Sequence, residues 1–371
     1  MELAKSNKYI RQNIASGDIQ IDTFKEKFPW IGGDLQTLRD TFKKENLPIE
    51  SSVSIKIPTS KFPLSKDKDG FLIGLLDLPP ENRPIKGVVL IIHGLGGSSQ
   101  RQGLRRMAIE LQEAGFATFR LNLRGAGHSR NSCGGTYCAE CSHDVIPAIK
   151  EARKISRSIE KNYPNRTKNK EIPLFGVGIS LGGTILLNTC LMNDSKDYLL
   201  DGLACTSSPL DLHQCSLFIE RKRNYFYQKW LLKRLIKQTV VDPFYQDSKE
   251  LESIKSKIKL NQITTIRNFD ESITAPRWGF TNVEDYYRYA SPIYKILEFK
   301  KSINPTLFLQ ALDDPWVPPT TTEKLEFNQR FLDFYKGKII LTNKGGHNGF
   351  HSNNGCWGDK IVREWLLNII K

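Results

Sequence analysis

The sequence predicts an α/β layered protein built on a mainly parallel sheet, and three observations lead there. Apolar runs of strand length alternate with amphipathic helical stretches along most of the chain. The run 88–92 (Val-Val-Leu-Ile-Ile) is apolar without alternation, as in a strand covered on both faces. Glycine-rich turns close the runs at 93–97, 124–129 and 178–182, at strand ends where open α/β sheets gather ligands and catalytic groups.

Each element follows in order. Residues 1–50 read as a polar, partly helical arm, with 28–31 and 35–38 apolar enough to pack on a core. The stretch 52–58 alternates like a strand, 67–70 (Asp-Lys-Asp-Gly) signals a turn, and 71–76 is apolar, which together predict a hairpin. Pro79, Pro80 and Pro84 mark a loop before the buried strand 88–92. Helical periodicity spans 101–114, with Gly115 suited to its carboxyl-terminal cap, and 117–123 is the next strand. A long amphipathic helix spans 143–160, and the basic connection 161–170 leads to an apolar strand at 174 and a helix over 184–192. A short strand spans 202–207. The alternation breaks over 209–302, which is helical and aromatic-rich and predicts a cap inserted into the sheet domain. Strands return at 305–311 and 338–342, and an amphipathic helix over 357–370 closes the chain. The expected organisation is therefore an arm (1–50), a first core segment (51–208), a cap (209–302) and a second core segment (303–371).

Composition bounds the remaining possibilities. A chain of 371 residues with 39% hydrophobic and 25% charged residues can bury a full core with an insertion. The polar amino terminus offers no signal-peptide stretch, and no run approaches the ~20 apolar residues of a spanning helix, so a cytoplasmic protein is expected. The net charge of +14 comes with no nucleic-acid-binding motif. Seven cysteines, an odd number, fit reduced thiols. Cys133, Cys138, Cys141 and His143 cluster, but the first gap is too long for a paired zinc knuckle and no second pair follows, so no metal is expected.

Gly178-Ile179-Ser180-Leu181-Gly182, between an apolar strand and a helix, has the form of a nucleophile elbow with Ser180 at the apex. The flanking residues are glycines because a side chain at either position would clash in so sharp a turn. A serine hydroxyl needs a base, and His347 lies in a glycine-rich loop directly after the last predicted strand, with His351 in reserve. A carboxylate is expected at the end of the preceding strand, where Asp313 and Asp314 stand, and Asp211 is a more distant choice. Ser180, Asp314 and His347 follow the chain order of α/β-hydrolases. The backbone N–H groups of Leu95 and Leu181 are the expected oxyanion donors. His93 reads as shaping that turn, and His128, His143 and His213 as surface or packing residues.

The chain resembles the YheT-like branch of the α/β-hydrolases, which includes bacterial hydrolases and eukaryotic lipid esterases and phospholipases. Its markers here are Leu35-Gln36-Thr37, the 93–97 turn, Asn122-Leu-Arg-Gly125, the elbow, Ser208-Pro-Leu-Asp211, Phe269-Asp270, the string 274–280, the string 285–291, Ala311-Leu-Asp-Asp-Pro315 and Gly345-Gly-His347. The choice of Asp314 over Asp313 rests on this resemblance, since related sequences place the acid four residues before the Pro at 318. Two positions depart from the branch: Asp34 where a histidine often precedes Leu-Gln-Thr, and Cys138 in place of a frequent histidine. The resemblance implies a serine-dependent carboxylic ester hydrolase, acting on medium-chain acyl or lipid esters without a cofactor. An acyltransferase with the same triad and a silent lipid-binding protein are the alternatives.

Seven cap aromatics (Tyr225, Phe226, Trp230, Phe244, Tyr245, Trp278, Phe280) fit either an acyl pocket or the cap's own core. The segment 221–237 has seven basic residues and no acidic ones, interleaved with apolar residues. It fits contact with an anionic membrane surface, and it fits better a helix packed on the core with a solvated basic face.

Overall fold

A computed structural model describes residues 22–59, 70–166, 171–192, 199–245, 248–300 and 305–370, together with the backbone of 11–12. The sheet contains β1 (Arg11–Gln12), β2 (Val53–Pro58), β3 (Phe71–Asp77), β4 (Gly87–Ile92), β5 (Phe116–Asn122), β6 (Leu174–Ile179), β7 (Gly202–Thr206), β8 (Thr306–Ala311) and β9 (Lys338–Thr342). Their spatial order is β1-β9-β8-β7-β6-β4-β5-β3-β2. From β9 through β5 all neighbours are parallel. The hairpin β2–β3 runs antiparallel at one edge, and β1 pairs antiparallel with β9 at the other. The Asp67 turn signal of that hairpin falls outside the described residues.

The uniform apolarity of β4 has a direct cause. Side chains alternate across a strand. Val88, Leu90 and Ile92 enter one core layer, and Val89 and Ile91 enter the other. The first layer is completed by α3 (Ser142–Asn162) and α4 (Leu181–Met192), through Val145, Ile149, Ile185 and Leu186. The second is completed by α2 (Gln102–Glu113) and the closing helix Trp357–Ile370, through Leu104, Met107, Leu111, Trp365 and Leu366. Gly115 has φ +99°, the left-handed conformation that ends α2.

The chain leaves β4 for β5 on one side and returns to β6 on the other. The strand order therefore reverses between β4 and β6, and a crevice opens beyond their carboxyl ends. Both glycine-rich turns, at 93–97 and 178–182, stand at that crevice.

Some details differ from the sequence reading. Helix α4 begins at Leu181, immediately after the elbow, rather than at 184, because the Gly182-Gly183 pair that weakens its local helical signal is demanded by packing. Two helices, Thr320–Glu326 and Gln329–Tyr335, link β8 to β9. Between β7 and β8 the described residues form helices and no strand. Of these, α5 (Leu212–Ile219), α6 (Tyr225–Val240) and α7 (Lys249–Lys259) come first, and a π-helical turn follows at Asp270–Thr274. Leu232, Leu235, Ile254, Ile263, Phe269 and Ile273 form a small core of their own. Val283, Tyr286, Ala290, Ile293 and Ile296 instead join the main core, so the later part of this helical stretch packs against the sheet layer.

Candidate active site

Strand β6 ends at Ile179, and Ser180 takes φ +55° before α4 begins. A β-carbon on Gly178 would overlap the Cα of Gly183, and one on Gly182 would overlap the carbonyl of Ile92. The elbow thus needs glycine for close approach, while the left-handed residue is the serine itself.

Ser180 Oγ lies 2.9 Å from His347 Nε2. On the other side of the ring, Nδ1 lies 2.9 Å from Asp314 Oδ2 and 3.2 Å from Oδ1. An ionised carboxylate only accepts, so the imidazole proton belongs on Nδ1, and the Nε2 lone pair faces the serine hydroxyl. Asp314 Oδ1 also accepts from the N–H groups of Trp316 (2.8 Å) and Val317 (3.0 Å), which hold the carboxylate in place. The Trp316 indole stacks on the His347 ring, with centroids 4.6 Å apart and planes 30° apart. The carboxylate is fully buried, and the imidazole is 5% exposed.

The turn after β4 closes over the serine. A β-carbon on Gly94 would sit 2.8 Å from Ser180 Cβ, so only glycine lets this backbone come so near. Tyr137 braces the turn, accepting from Gly96 N–H (2.7 Å) and donating to the Gly94 carbonyl (3.0 Å). His93 is fully buried, and desolvation lowers its pKa to about 4. Its Nε2 accepts from Leu123 N–H (3.2 Å), which leaves the proton on Nδ1 to donate to the Gly94 carbonyl (2.9 Å). It is a neutral structural histidine. Leu95 and Leu181 both line the cavity beside Ser180.

The other candidates take different places. Asp313 Oδ1 accepts from Gly346 N–H (2.9 Å), so it holds the histidine loop's backbone rather than the ring. Asp211 caps α5, accepting from Gln214 N–H (3.1 Å). His351 Nε2 lies 3.3 Å from Asp40, and His213 lies 3.3 Å from Glu284. Cys133, Cys138 and Cys141 are buried with thiol pKa values raised by desolvation. Cys133 Sγ faces Thr59 Oγ1 at 3.8 Å, while Cys138 Sγ is 2.8 Å from the Glu140 carbonyl oxygen, so these two sulfurs have separate partners. Among the described residues, Asp40, Glu45 and His351 form the one group close enough to share an ion, but Arg39 and Arg106 already neutralise its carboxylates.

A cavity of about 340 Å³ opens from Ser180 beneath the insertion. Its insertion side is largely apolar, with Leu212, Ile219, Leu231, Leu235 and Phe269, and carries the polar Arg234, Gln238 and Asp270 among them. Of the seven aromatics singled out by sequence, Trp230 alone lines it. Trp278 and Phe280 pack against the main core, while Tyr225, Phe226 and Phe244 are exposed. A half-buried carboxylate stands in the insertion side of the wall. Asp270, in the π-helical turn, accepts from Thr274 (2.7 Å) and Tyr287 (2.9 Å), and burial raises its pKa to about 6.

Sequence reasoning missed Trp316 and Tyr137, whose contacts come from segments far apart in the chain. It read Leu35-Gln36-Thr37 as part of a core-packing stretch and as a family marker, without a place in the site. In the structure Thr37 Oγ1 accepts from His347 N–H at 2.8 Å.

An elbow serine at the switch point of a largely parallel sheet, facing an imidazole and a buried carboxylate, defines an α/β-hydrolase. The chain belongs to the serine aminopeptidase S33 family (Hydrolase_4), which matches residues 83–337, and within it to the YheT-like branch. It is 29% identical over 307 residues to protein abhd-3.2 of Caenorhabditis elegans, covering 80% of this chain and 74% of that one. It is 27% identical to the medium-chain fatty acid ethyl ester synthase/esterase 2 of Saccharomyces cerevisiae, over 97% of this chain and 77% of the relative. The putative esterase YheT of Escherichia coli is 25% identical, covering 79% of this chain and 80% of that protein. Among solved structures, a soluble variant of the Saccharomyces cerevisiae monoglyceride lipase superposes with a TM-score of 0.50 at 17% identity, covering 87% of this chain and 98% of the lipase. That likeness shows the fold.

Proposed function

We propose that this chain is a serine-dependent carboxylic ester hydrolase acting on medium-chain acyl or lipid esters, with Ser180 as nucleophile, His347 as base and Asp314 as its orienting acid. The observation that supports it most is the Ser180–His347–Asp314 relay, with 2.9 Å on each side of the ring. His347 Nε2 takes the hydroxyl proton as Ser180 Oγ attacks the ester carbonyl, and the charge on the imidazolium is balanced by Asp314. The tetrahedral oxyanion is received by the N–H groups of Leu95 and Leu181, and losing one such donor costs on the order of 3 kcal/mol. His347 returns the proton to the departing alcohol. Water then repeats the sequence on the acyl-enzyme and releases the acid.

The cavity sets the scale of the acyl group. At about 340 Å³ it lies at the small end of ligand pockets, which favours a medium chain over a long one. The yeast relative named as a synthase and esterase also fits transfer of the same acyl group to an alcohol. A ladder of p-nitrophenyl esters from acetate to palmitate, with and without added ethanol, tests both. Turnover is expected to peak at an intermediate length, and ethanol is expected to divert little product into ethyl ester. Inertness on every ester refutes the hydrolase reading, and dominant ethyl ester formation replaces it with acyl transfer.

The odd count of seven cysteines, with no disulfide among the described residues, supports a reducing, cytoplasmic setting. Among the described residues no helix is long and apolar enough to cross a membrane. The basic segment 221–237 supports peripheral contact instead. Lys222, Lys229, Lys233 and Lys237 are exposed on it, beside Phe226 at 80% and Tyr225 at 54% exposure. Arg234 turns inward to the Gly96 carbonyl, and Arg223 pairs with Asp34 at 2.9 Å, so the lysines and aromatics are left to meet a lipid surface. Cosedimentation with phosphatidylserine vesicles is expected to weaken with added salt and with the Lys229→Glu/Lys233→Glu pair. Equal binding to pure phosphatidylcholine would remove the electrostatic contact.

A further inference from the structure

The loop that presents His347 cannot hold its own shape with backbone bonds alone. Between residues 345 and 350, Gly345, Gly346, Asn348 and Phe350 all have positive φ. One bond closes the loop internally, from Phe350 N–H to the Gly345 carbonyl at 3.0 Å. Three successive amides at its centre are instead held by side-chain oxygens from three separate parts of the chain. Gly346 N–H donates to Asp313 Oδ1 (2.9 Å), His347 N–H to Thr37 Oγ1 (2.8 Å) and Asn348 N–H to Ser207 Oγ (3.2 Å). Asp313 and Ser207 follow the sheet strands β8 and β7. Thr37 belongs to α1 (Gly33–Phe42), in the amino-terminal arm.

The arm holds this loop at a second point. Gln36 is 1% exposed. Its Oε1 accepts from His351 N–H (2.7 Å), and its Nε2 donates to the His351 carbonyl (3.1 Å) and to the Trp30 carbonyl (2.6 Å). The side-chain amide therefore pairs with both backbone groups of His351, as a neighbouring strand would. The fit leaves no room for side chains between helix and loop. A β-carbon on Gly349 would lie 2.6 Å from the Gln36 carbonyl oxygen, and one on Gly346 would lie 2.7 Å from Thr37 Oγ1. Thr37 is itself oriented, because its hydroxyl donates to the Gly33 carbonyl (2.6 Å) and so presents a lone pair to His347 N–H.

We infer that the amino-terminal helix is a working part of the active site, with Thr37 as a positioning residue that sets the backbone of the base and Gln36 as the anchor of the same loop. Neither residue touches a reacting atom. Both act through the placement of His347, and a base displaced by a fraction of its hydrogen-bond tolerance loses rate steeply. The inference rests on the esterase reading above, in which His347 is the base.

The test is Thr37→Val, which keeps the β-branched shape and removes the hydroxyl, beside Thr37→Ala and the conservative Thr37→Ser. With a p-nitrophenyl ester of the best chain length, kcat is expected to fall roughly ten- to a hundredfold in the valine and alanine proteins, because the base is misplaced. KM is expected to change far less than kcat, since Thr37 is only one of the residues lining the cavity and the apolar wall formed by Leu212, Ile219, Leu231, Leu235 and Phe269 is unchanged, and Thr37→Ser is expected to restore kcat. Asn328→Ala serves as the control for stability alone, because Asn328 Oδ1 caps the distant helix Gln329–Tyr335 through Phe331 N–H (2.9 Å). It is expected to lower the melting temperature and leave kcat unchanged. Hydrogen exchange gives a readout independent of turnover, and the peptide covering 343–351 is expected to lose protection in Thr37→Val. Wild-type kcat together with wild-type protection in Thr37→Val overturns the inference, as does a kcat loss that Asn328→Ala reproduces at equal melting temperature. Absence of Ser180-dependent turnover in the wild type defeats the esterase reading instead, and the exchange data then decide whether the arm holds the loop.

Discussion

Ser180→Ala is expected to remove ester turnover while leaving the fold and ester binding intact. The serine sits at φ +55° with its hydroxyl alone directed to His347, so losing Oγ deletes the nucleophile and vacates little volume. Alanine also suits the crowded elbow, where the added bulk of a larger side chain would meet the Gly94 backbone. The expected loss in kcat is on the order of 10⁴-fold or more, because the remaining oxyanion donors and the cavity give only residual acceleration. Fluorophosphonate labelling should disappear with the activity. Retained labelling and turnover would assign the nucleophile to another residue and dismantle the proposed mechanism.

The two adjacent aspartates should separate just as sharply. Asp314→Asn is expected to lower kcat by roughly 10³- to 10⁴-fold, because an amide N–H facing Nδ1 favours the wrong imidazole tautomer and supplies no charge to the imidazolium. Asp313→Asn should cost less than about tenfold, because its role is to accept one bond from Gly346 N–H, and an amide oxygen can still accept it. The geometry behind this contrast is specific. Asp314 reaches the ring at 2.9 Å and is itself held by Trp316 and Val317 N–H groups, whereas Asp313 reaches the Gly346 backbone and, at 3.9 Å, the Lys344 ammonium. The opposite pattern of losses, measured as kcat on one ester, would transfer the orienting role to Asp313.

Much of the scaffold was legible because its causes are local. The uniform apolarity of β4 follows from burial on both faces, and the alternation of strands and helices follows from covering such a sheet. The β2–β3 hairpin was readable from an alternating stretch, an apolar stretch and the turn signal between them. The elbow was readable because a serine between two glycines, after one apolar run and before another, has few other uses. The helical stretch between β7 and β8 was legible as a break in the alternation, but which of its residues join the main core was not. Whether Tyr286 or Ile293 joins the main core depends on where the chain returns to the sheet, which no local period records.

The sequence by itself determined the alternating α/β architecture and the order in which Ser180, Asp314 and His347 occur, because strand burial and turn chemistry are written in neighbouring residues. It left Asp313 against Asp314 to a resemblance, and left seven cap aromatics undivided between pocket and core. Only the tertiary structure decided that Trp316 covers the His347 ring, that Trp230 is the one of those seven to line the cavity, and that the two aspartates serve different atoms. It also placed Thr37 against His347 across 310 residues of chain. A hydroxyl and a backbone amide carry no periodicity or pattern that announces such a bond. Their meeting is set by how an arm helix packs beside the end of the last strand, and that packing exists only once the sheet has formed.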